Sequence, residues 1–479
     1  MGDILDQSGE DILAALRTRR LSARDLMQET LSRISAVNPA INAIVSLRPT
    51  DVLLAEAEAA DAALNAGTAG PLTGLPFAIK DLCATAGLRT TWGSPLYADF
   101  IPAKDDALAA CLRKAGAIII GKTNTPEMGL GSHTFNPVHG ATQNPYAIGK
   151  TPGGSSGGAA AALATRMVAL ADGSDMMGSL RNPAAFCNVY GFRPTWDLIA
   201  GDATGDTYLH VMSTNGPMAR SPRDLALLLD VMAGVNPRQP HGRPPAASYL
   251  AGLPTDVRGR RIGWLGDWGG ALPMEPGILA QCETALAEFT EMGCTVTPVA
   301  PPFSADDMWE SWCQLRHWSN AASMAEDWAD PARRALIKPE LAWEIQRGQA
   351  LSALDVHRAS TIRSQWYATL ADLFTRYDAL VLPSAQVWPF SIDIRYPESI
   401  SGHSMDTYHR WMQVVVPVSL AGVPALNVPI GFSPAHDGGP ALPMGMQIFG
   451  AAGQDAQILQ LGHAYHQRTE WPQRHPALL

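Results

Sequence analysis

Two serines and one lysine stand out as residues that could do chemistry. Ser155 and Ser179 lie in small-residue turns at either side of one Ala-rich stretch, within GGSSGGAAAALATRMVALADGSDMMGSLRNPA from Gly153 to Ala184. Lys80 closes the apolar run Leu75-Pro76-Phe77-Ala78-Ile79 far upstream. Lysine is rare at the end of a buried strand, and desolvation lowers its pKa toward neutrality. A free amine can then take a proton from a serine hydroxyl, and Ser–Lys arrangements are one route to an attacking alkoxide. A plainer arrangement fits the same letters: a Gly/Ser loop beside a helix, with the lysine ammonium reaching water. Composition leaves these two readings level.

Three other motifs carry less. Gly116-Ala117-Ile118-Ile119-Ile120-Gly121-Lys122-Thr123 satisfies GxxxxGK[ST]. A phosphate cradle needs a loop of inward N–H groups and a helix that starts at the lysine. Three isoleucines favour a strand, and Asn124-Thr125-Pro126 opens no helix, so the stretch reads as a strand and a turn. Gly153-Gly154-Ser155-Ser156-Gly157 matches GxSxG, the nucleophile elbow, which requires a strand immediately before the serine. Here Asn144-Pro145-Tyr146 and Gly149-Lys150-Thr151-Pro152 read as loop. The twelve histidines form no HExxH, and no metal is expected.

The elements that must position these residues read as α/β. A helix is expected from an N-cap at Ser22 to Asn38-Pro39, where proline should end it, and an Ala-rich one over about 51–65. Leu75 to Lys80 reads as a strand, 106–115 as a helix and Ala117 to Ile120 as a buried strand. A Gly/Ser/Pro loop over 149–158 precedes a small-residue helix over 159–168. Further strands are expected at 261–265, 379–382 and 425–428. The stretch 300–415 reads as helical and holds eight of the thirteen tryptophans. These line an aromatic cleft or fill the core of that region, and the sequence leaves both open. The Pro-rich stretch Pro237 to Pro245 reads as a surface connection. Alternating helices and short apolar strands predict one large α/β domain over 1–479, its mixed and mostly buried sheet flanked by helices.

Composition narrows the classes. The 479 residues are 46% hydrophobic and 17% charged, too apolar for disorder and too poor in charge for a coiled coil. Forty-three glycines must serve turns, close packing or a ligand cradle. The formal charge of −10 argues against a nucleic-acid partner. Six scattered cysteines without a CxxC pair read as reduced thiols. The acidic start Met1-Gly2-Asp3 is unlike a signal peptide, and the apolar runs are too short to span a membrane. A cytoplasmic protein is the expectation.

Taken together, these stretches resemble the amidase signature family over nearly the whole chain. Gly153 to Ala184 fits that family's long signature. Gly74 to Asp81, Gly121 to Asn124, Gly216 to Arg220, Ala421 to Ala425 and Pro443 to Gln447 continue the likeness. The resemblance implies a Ser–Ser–Lys triad: Lys80 as terminal base, Ser155 as a bridging residue after a cis peptide bond, and Ser179 as nucleophile forming an acyl-enzyme. Ser156 would support the network. Backbone N–H groups of Met176, Met177, Gly178 and Ser179 would form the oxyanion hole. One departure is clear, because the family has Gly or Ala where this chain has Met177. Either the turn differs there or the methionines extend into the acyl pocket as flexible apolar walls. Met128 is a further pocket candidate.

The implied organisation is a helical part over 1–70, a signature core over 71–235 and a Trp-rich region over 300–415 that varies with substrate. The implied activity is hydrolysis of a hydrophobic or aryl amide, or a related carbamate or ester, without cofactor. The expected partner is a small-molecule amide, with no nucleic acid and no membrane, and a homodimer is among the assemblies expected. Two alternatives stand beside this: an α/β-hydrolase-type esterase with Ser155 as nucleophile, and the amidase subunit of a tRNA-dependent amidotransferase.

Overall fold

The first 150 residues build a small three-stranded sheet, one strand of which ends on the buried Lys80. In the computed structural model, residues 4–202, 205–209, 211–434 and 439–478 are described, so Met1-Gly2-Asp3 of the acidic start lies outside them. Helix α1 (Gly9–Arg17) has no counterpart among the expected elements. Ser8 caps it, accepting from the Asp11 N–H. Helix α2 (Ala23–Ile41) starts at the expected cap, Ser22, but runs through Pro39. Proline lies in its last turn, and the chain leaves it through Asn42 in the left-handed region, whose N–H bonds Asn38 O (2.7 Å). The Asn38 side chain then accepts from the Ala43 and Ile44 N–H groups, so the helix is stopped by asparagine rather than by proline.

Strand β1 (Ile44–Val45), helix α3 (Thr50–Ala66), strand β2 (Pro76–Lys80), helix α4 (Ala107–Lys114) and strand β3 (Ile118–Thr123) follow. β3 lies centrally, parallel to β2 and antiparallel to β1. Lys122 therefore sits inside a strand, its amine bonded to Cys83 O and Thr85 Oγ1, and Gly116 to Thr123 is no phosphate loop. A short hairpin, β4 (Phe135–Asn136) and β5 (Gly140–Ala141), precedes helix α5 (Gly157–Ala164). α5 is four residues shorter at its end than expected, because Arg166 takes a left-handed conformation at φ +57°.

The large sheet comes next. It takes β6 (Leu170–Asp175), helix α6 (Arg181–Phe186), β7 (Tyr190–Arg193), β8 (Thr214–Ala219), helix α7 (Pro222–Met232), β9 (Arg261–Trp264), helix α8 (Ile278–Glu291) and β10 (Thr295–Pro298). The connection from Pro237 to Pro245 runs over the surface. Helices α9 (Ala305–Ser323), α10 (Ala325–Ala329), α11 (Pro331–Arg334), α12 (Pro339–Gln349) and α13 (Ala353–Phe374) then form one block. The helical run stops at Phe374 rather than near 415. β11 (Ala379–Pro383), the hairpin β12 (Ser399–Ile400) and β13 (His403–Ser404), helix α14 (Val416–Ala421), β14 (Ala425–Phe432), β15 (Pro443–Phe449) and helix α15 (Asp455–Thr469) complete the described chain.

The eight strands lie in the order β10-β9-β11-β15-β14-β7-β8-β6, parallel across β10-β9-β11 and antiparallel from β11 onward. This is a single α/β domain with a mixed central sheet flanked by helices. β11, β14 and β15 are almost wholly buried, which accounts for their nearly continuous apolar sequences. Trp312, Trp366 and Trp411 are at most 1% exposed, so these tryptophans fill the core. No helix among the described residues is long and apolar enough to cross a membrane.

Helix α5 joins the two sheets, and its small residues make that possible. All eight are buried. A Cβ added at Gly158 would lie 2.6 Å from Asn124 O and 2.7 Å from Ala43 O, so the helix meets the backbone at the ends of β3 and β1 directly. Gly158→Ala should therefore lower the urea midpoint, with a loss of about 1–3 kcal/mol. An unchanged midpoint would show that the helix does not need this close approach.

Candidate active site

Lys80, Ser155, Ser156 and Ser179 are brought together where the small sheet abuts edge strand β6 of the large one. The Lys80 N–H donates to Asp172 Oδ1 (3.0 Å) and so ties β2 to β6. The Lys80 side chain is 1% exposed. Its Nζ lies 2.8 Å from Ser155 Oγ, 2.8 Å from Ser156 Oγ and 3.1 Å from Ser174 Oγ. Among the described residues no carboxylate makes an ion pair with it. Burial lowers its pKa to about 7 against the smaller opposing effects of Asp172 and Asp175. A neutral amine has two N–H donors and one lone pair, so three hydroxyls can saturate it when one of them donates to nitrogen. The surroundings thus fit a free base without requiring a counterion.

The turn that bears Ser155 is a close approach of backbones. The Gly154–Ser155 peptide bond is cis, as the resemblance implied. A Cβ on Gly154 would stand 3.0 Å from Ser132 C and 3.1 Å from His133 N. A side chain there would press on this backbone, which would have to give by a few tenths of an ångström.

Asp175, at the end of β6, organises the turn from Met176 to Leu180. Its carboxylate accepts the Gly178 N–H (2.9 Å) and the Leu180 N–H (3.2 Å), and pairs with Arg181 (3.0 Å) and Arg193 (3.1 Å). Burial opposes its ionisation, but the two guanidiniums outweigh that and hold its pKa well below the usual carboxylate value. The positive φ in this turn falls at Gly178 (+77°), and Met177 is not among the left-handed residues. Methionine is therefore compatible with the turn, and the departure from the family pattern distorts nothing. The Gly178 N–H is already engaged by Asp175, which removes it from the expected oxyanion donors. No hydrogen bond to a described residue occupies the N–H groups of Met176, Met177 or Ser179.

A cavity of about 170 Å³ opens over this turn. Ser155, Ser174, Ser179, Met128, Met176 and Met177 line it, together with Leu82, Leu130, Met412, Arg316 and Asn320. Met128 lines the cavity from a left-handed backbone (φ +54°) whose N–H bonds Trp92 O (2.7 Å). No described tryptophan lines it, so the aromatic-cleft alternative fails for this cavity.

Sequence reasoning misses Ser174, Asp172, Asp175, Arg316 and Asn320. Strand periodicity holds a signal for two of them, since Asp172 and Ser174 are two apart on β6 and so share one face. Nothing local marks Arg316, which arrives from α9 through the tertiary fold.

The family model for Amidase matches residues 25–459. The chain belongs to the amidase family. It is 34% identical over 482 residues to an acylamidase of Rhodococcus erythropolis, covering 98% of this amidase and 97% of that protein. It is 32% identical over 495 residues to a glutamyl-tRNA(Gln) amidotransferase subunit of Methylobacillus flagellatus, covering 99% of each. A bacterial aryl acylamidase of the amidase signature enzymes matches its fold with a TM-score of 0.90 at 27% identity, over 98% of this chain and 97% of that one. The amidase is accordingly a hydrolase of amide bonds.

The Asp175 cluster sets an acid limit on the amidase's stability. A carboxyl whose folded pKa is depressed stabilises the fold above its unfolded pKa, and that contribution is lost as pH falls below about 4. Asp175→Asn leaves two buried guanidiniums without a counterion and should cost about 3–5 kcal/mol at neutral pH. The variant should also lose part of the wild type's stability change between pH 5 and pH 2.5, read by chemical denaturation. Equal acid sensitivity in both proteins would assign that change to other groups.

Proposed function

We propose that this amidase works through a Lys80–Ser155–Ser179 relay and a covalent acyl-enzyme. The observation that carries the reading is the buried Lys80 amine, unpaired with any described carboxylate and 2.8 Å from Ser155 Oγ, a serine that lines the same cavity as Ser179. Neutral Lys80 takes the proton of Ser155 as Ser155 takes that of Ser179, and Ser179 Oγ adds to the amide carbonyl. Negative charge then develops on the carbonyl oxygen, opposite the unengaged N–H groups of Met176, Met177 and Ser179. The relay runs backward to protonate the leaving amine, and water repeats the attack on the ester. Ser156 and Ser174 hold the amine in place.

Ser132, Ser155, Ser174, Ser179, Ser213, Arg316 and Asn320 make the cavity's lining as polar as it is apolar, and Leu82, Met128, Leu130, Met176, Met177 and Met412 supply its apolar walls. These walls support a hydrophobic or aryl amide, or a related ester or carbamate, as substrate. The cavity is smaller than the roughly 300–1,000 Å³ of most ligand pockets, which favours a compact acyl group.

Labelling with an alkyl fluorophosphonate and peptide mapping tests the nucleophile. The adduct should fall on Ser179, and an adduct on Ser155 would instead support the esterase alternative. Ser179→Ala should lose at least about 10³-fold in turnover with its unfolding midpoint retained. Purified protein that is inactive alone but gains activity with a partner would favour the amidotransferase alternative.

The pH dependence has a definite sign. The base must be neutral, so the labelling rate should rise through pH about 7 and level off above it. Asp172 raises the Lys80 pKa, and Asp172→Asn keeps the acceptor for the Lys80 N–H while removing the charge. Its midpoint should move to lower pH. A midpoint that rises or stays fixed would sever Asp172 from the base.

A further inference from the structure

Arg316 and Asn320 are among the polar residues of the cavity lining that the relay does not use. Arg316 and Asn320 lie one turn apart on α9, on the face turned toward the cavity that Ser179 lines. Arg316 is 5% exposed, and its guanidinium is locked from behind. Nε donates to Glu344 Oε1 (2.7 Å) and Nη2 to Tyr408 Oη (2.9 Å). Glu344 is itself held by the Tyr408 hydroxyl (2.6 Å) and by His317 Nδ1 (2.5 Å). What remains is Nη1, and its neighbour is the thioether of Met176 at 2.9 Å. A thioether is a weak acceptor, and one sulfur cannot serve both Nη1 hydrogens. Asn320 Nδ2 has no partner among the described residues and is shielded from water, so it meets an oxygen in the cavity once its amide turns toward it. Two under-used polar groups on the wall of one cavity are costly unless something there accepts from them.

We propose that Arg316 and Asn320 bind a second oxygen acceptor on the substrate, a carbonyl or carboxylate carried by the acyl group away from the scissile amide. The inference rests on the Ser179 reading and narrows its substrate: the preferred acyl groups are bifunctional, apolar in the middle and oxygen-bearing at the far end. Met176, which the guanidinium touches, heads the turn bearing the oxyanion donors, and this places Arg316 against the acyl half of a bound amide. The Arg316–Glu344 pair compensates its own charge. The site is therefore built for a neutral carbonyl as well as for a carboxylate.

Three 4-nitroanilides of matched shape test this: 4-methylpentanoyl, succinamoyl and succinyl. The first is apolar, the second ends in a neutral carbonyl and the third in a carboxylate. Wild-type kcat/KM should favour at least one oxygen-bearing acyl group over the apolar isostere by about tenfold or more. For an acyl group that binds without turnover, the same ratio is read from protection of Ser179 against the fluorophosphonate. Arg316→Met should bring the ratio to within about twofold of one, and Asn320→Leu should lower it in part. Asn320→Leu also keeps the question open to measurement if the arginine variant fails to fold. Whether the carboxylate or the amide is preferred identifies the acceptor, and either preference supports the proposal. A wild-type ratio at or below one, or a ratio that survives both substitutions, overturns it. If Ser179 labels normally while the ratio is flat, only this inference falls; if Ser179 does not label, the relay reading falls first.

Discussion

Removing the Lys80 amine from water is the constraint around which the rest of this amidase is arranged. An ammonium in that position would have to do without a counterion, since its neighbours are three hydroxyls. Desolvation therefore favours the free base and lowers the pKa to about 7. Burial of this kind needs protein on every side, and two sheets supply it. β2 carries the lysine, β6 covers it with Ser174, and the turn before α5 brings Ser155 and Ser156. The bond from the Lys80 N–H to Asp172 pins the two sheets together at the residue that has to stay dry.

The glycines serve the same end. Gly154 lets the serine-bearing turn pass against Ser132 and His133, and Gly158 lets α5 lie against the end of β3. Gly178 supplies the positive φ that the Met176–Leu180 turn requires, and its Cβ would strike Val415 Cγ1 at 2.9 Å. Charge is used sparingly and in closed groups. Asp175 is surrounded by Arg181, Arg193 and two backbone N–H groups, and Glu344 by Arg316, Tyr408 and His317. The Glu344–Arg316 pair is neutral as a unit, whereas the Asp175 group carries one net positive charge, wholly buried; each stiffens a wall of the site. A low overall fraction of charged residues is what such a site tolerates.

Local patterns carry much of this. β2, β3, β9, β11 and β14 are short apolar runs bounded by glycine, proline or charge, and periodicity finds them to within a few residues at most ends. α2 shows where that reading fails. A proline in a last turn loses little, and the Asn38 side chain and Asn42 backbone end the helix in its place. α1 escapes because it is a nine-residue amphipathic helix with only Ser8 to announce it. The helical run expected to 415 ends at Phe374, because β11 enters the sheet there as a buried strand. Its apolar residues would suit a buried helix as well.

Residue types and short spacings are enough to single out Lys80, Ser155 and Ser179, because an apolar strand ending in lysine and two serines in glycine-rich turns are local features with a chemical meaning. They are enough, too, to reject the phosphate loop, since three isoleucines cannot cradle an anion. Whether Met177 can stand in its turn is not a local question. It depends on which residue takes the positive φ, and the packing against Val415 gives that to Gly178. The fate of the Gly178 N–H, the third hydroxyl at Lys80 and the arrival of Arg316 beside Met176 are likewise settled only by the fold. In each, tertiary packing decides the contact; Lys80 and Ser174, or Met176 and Arg316, come from separate elements far apart in the chain. Their distance is set by how sheets and helices pack rather than by any order of letters.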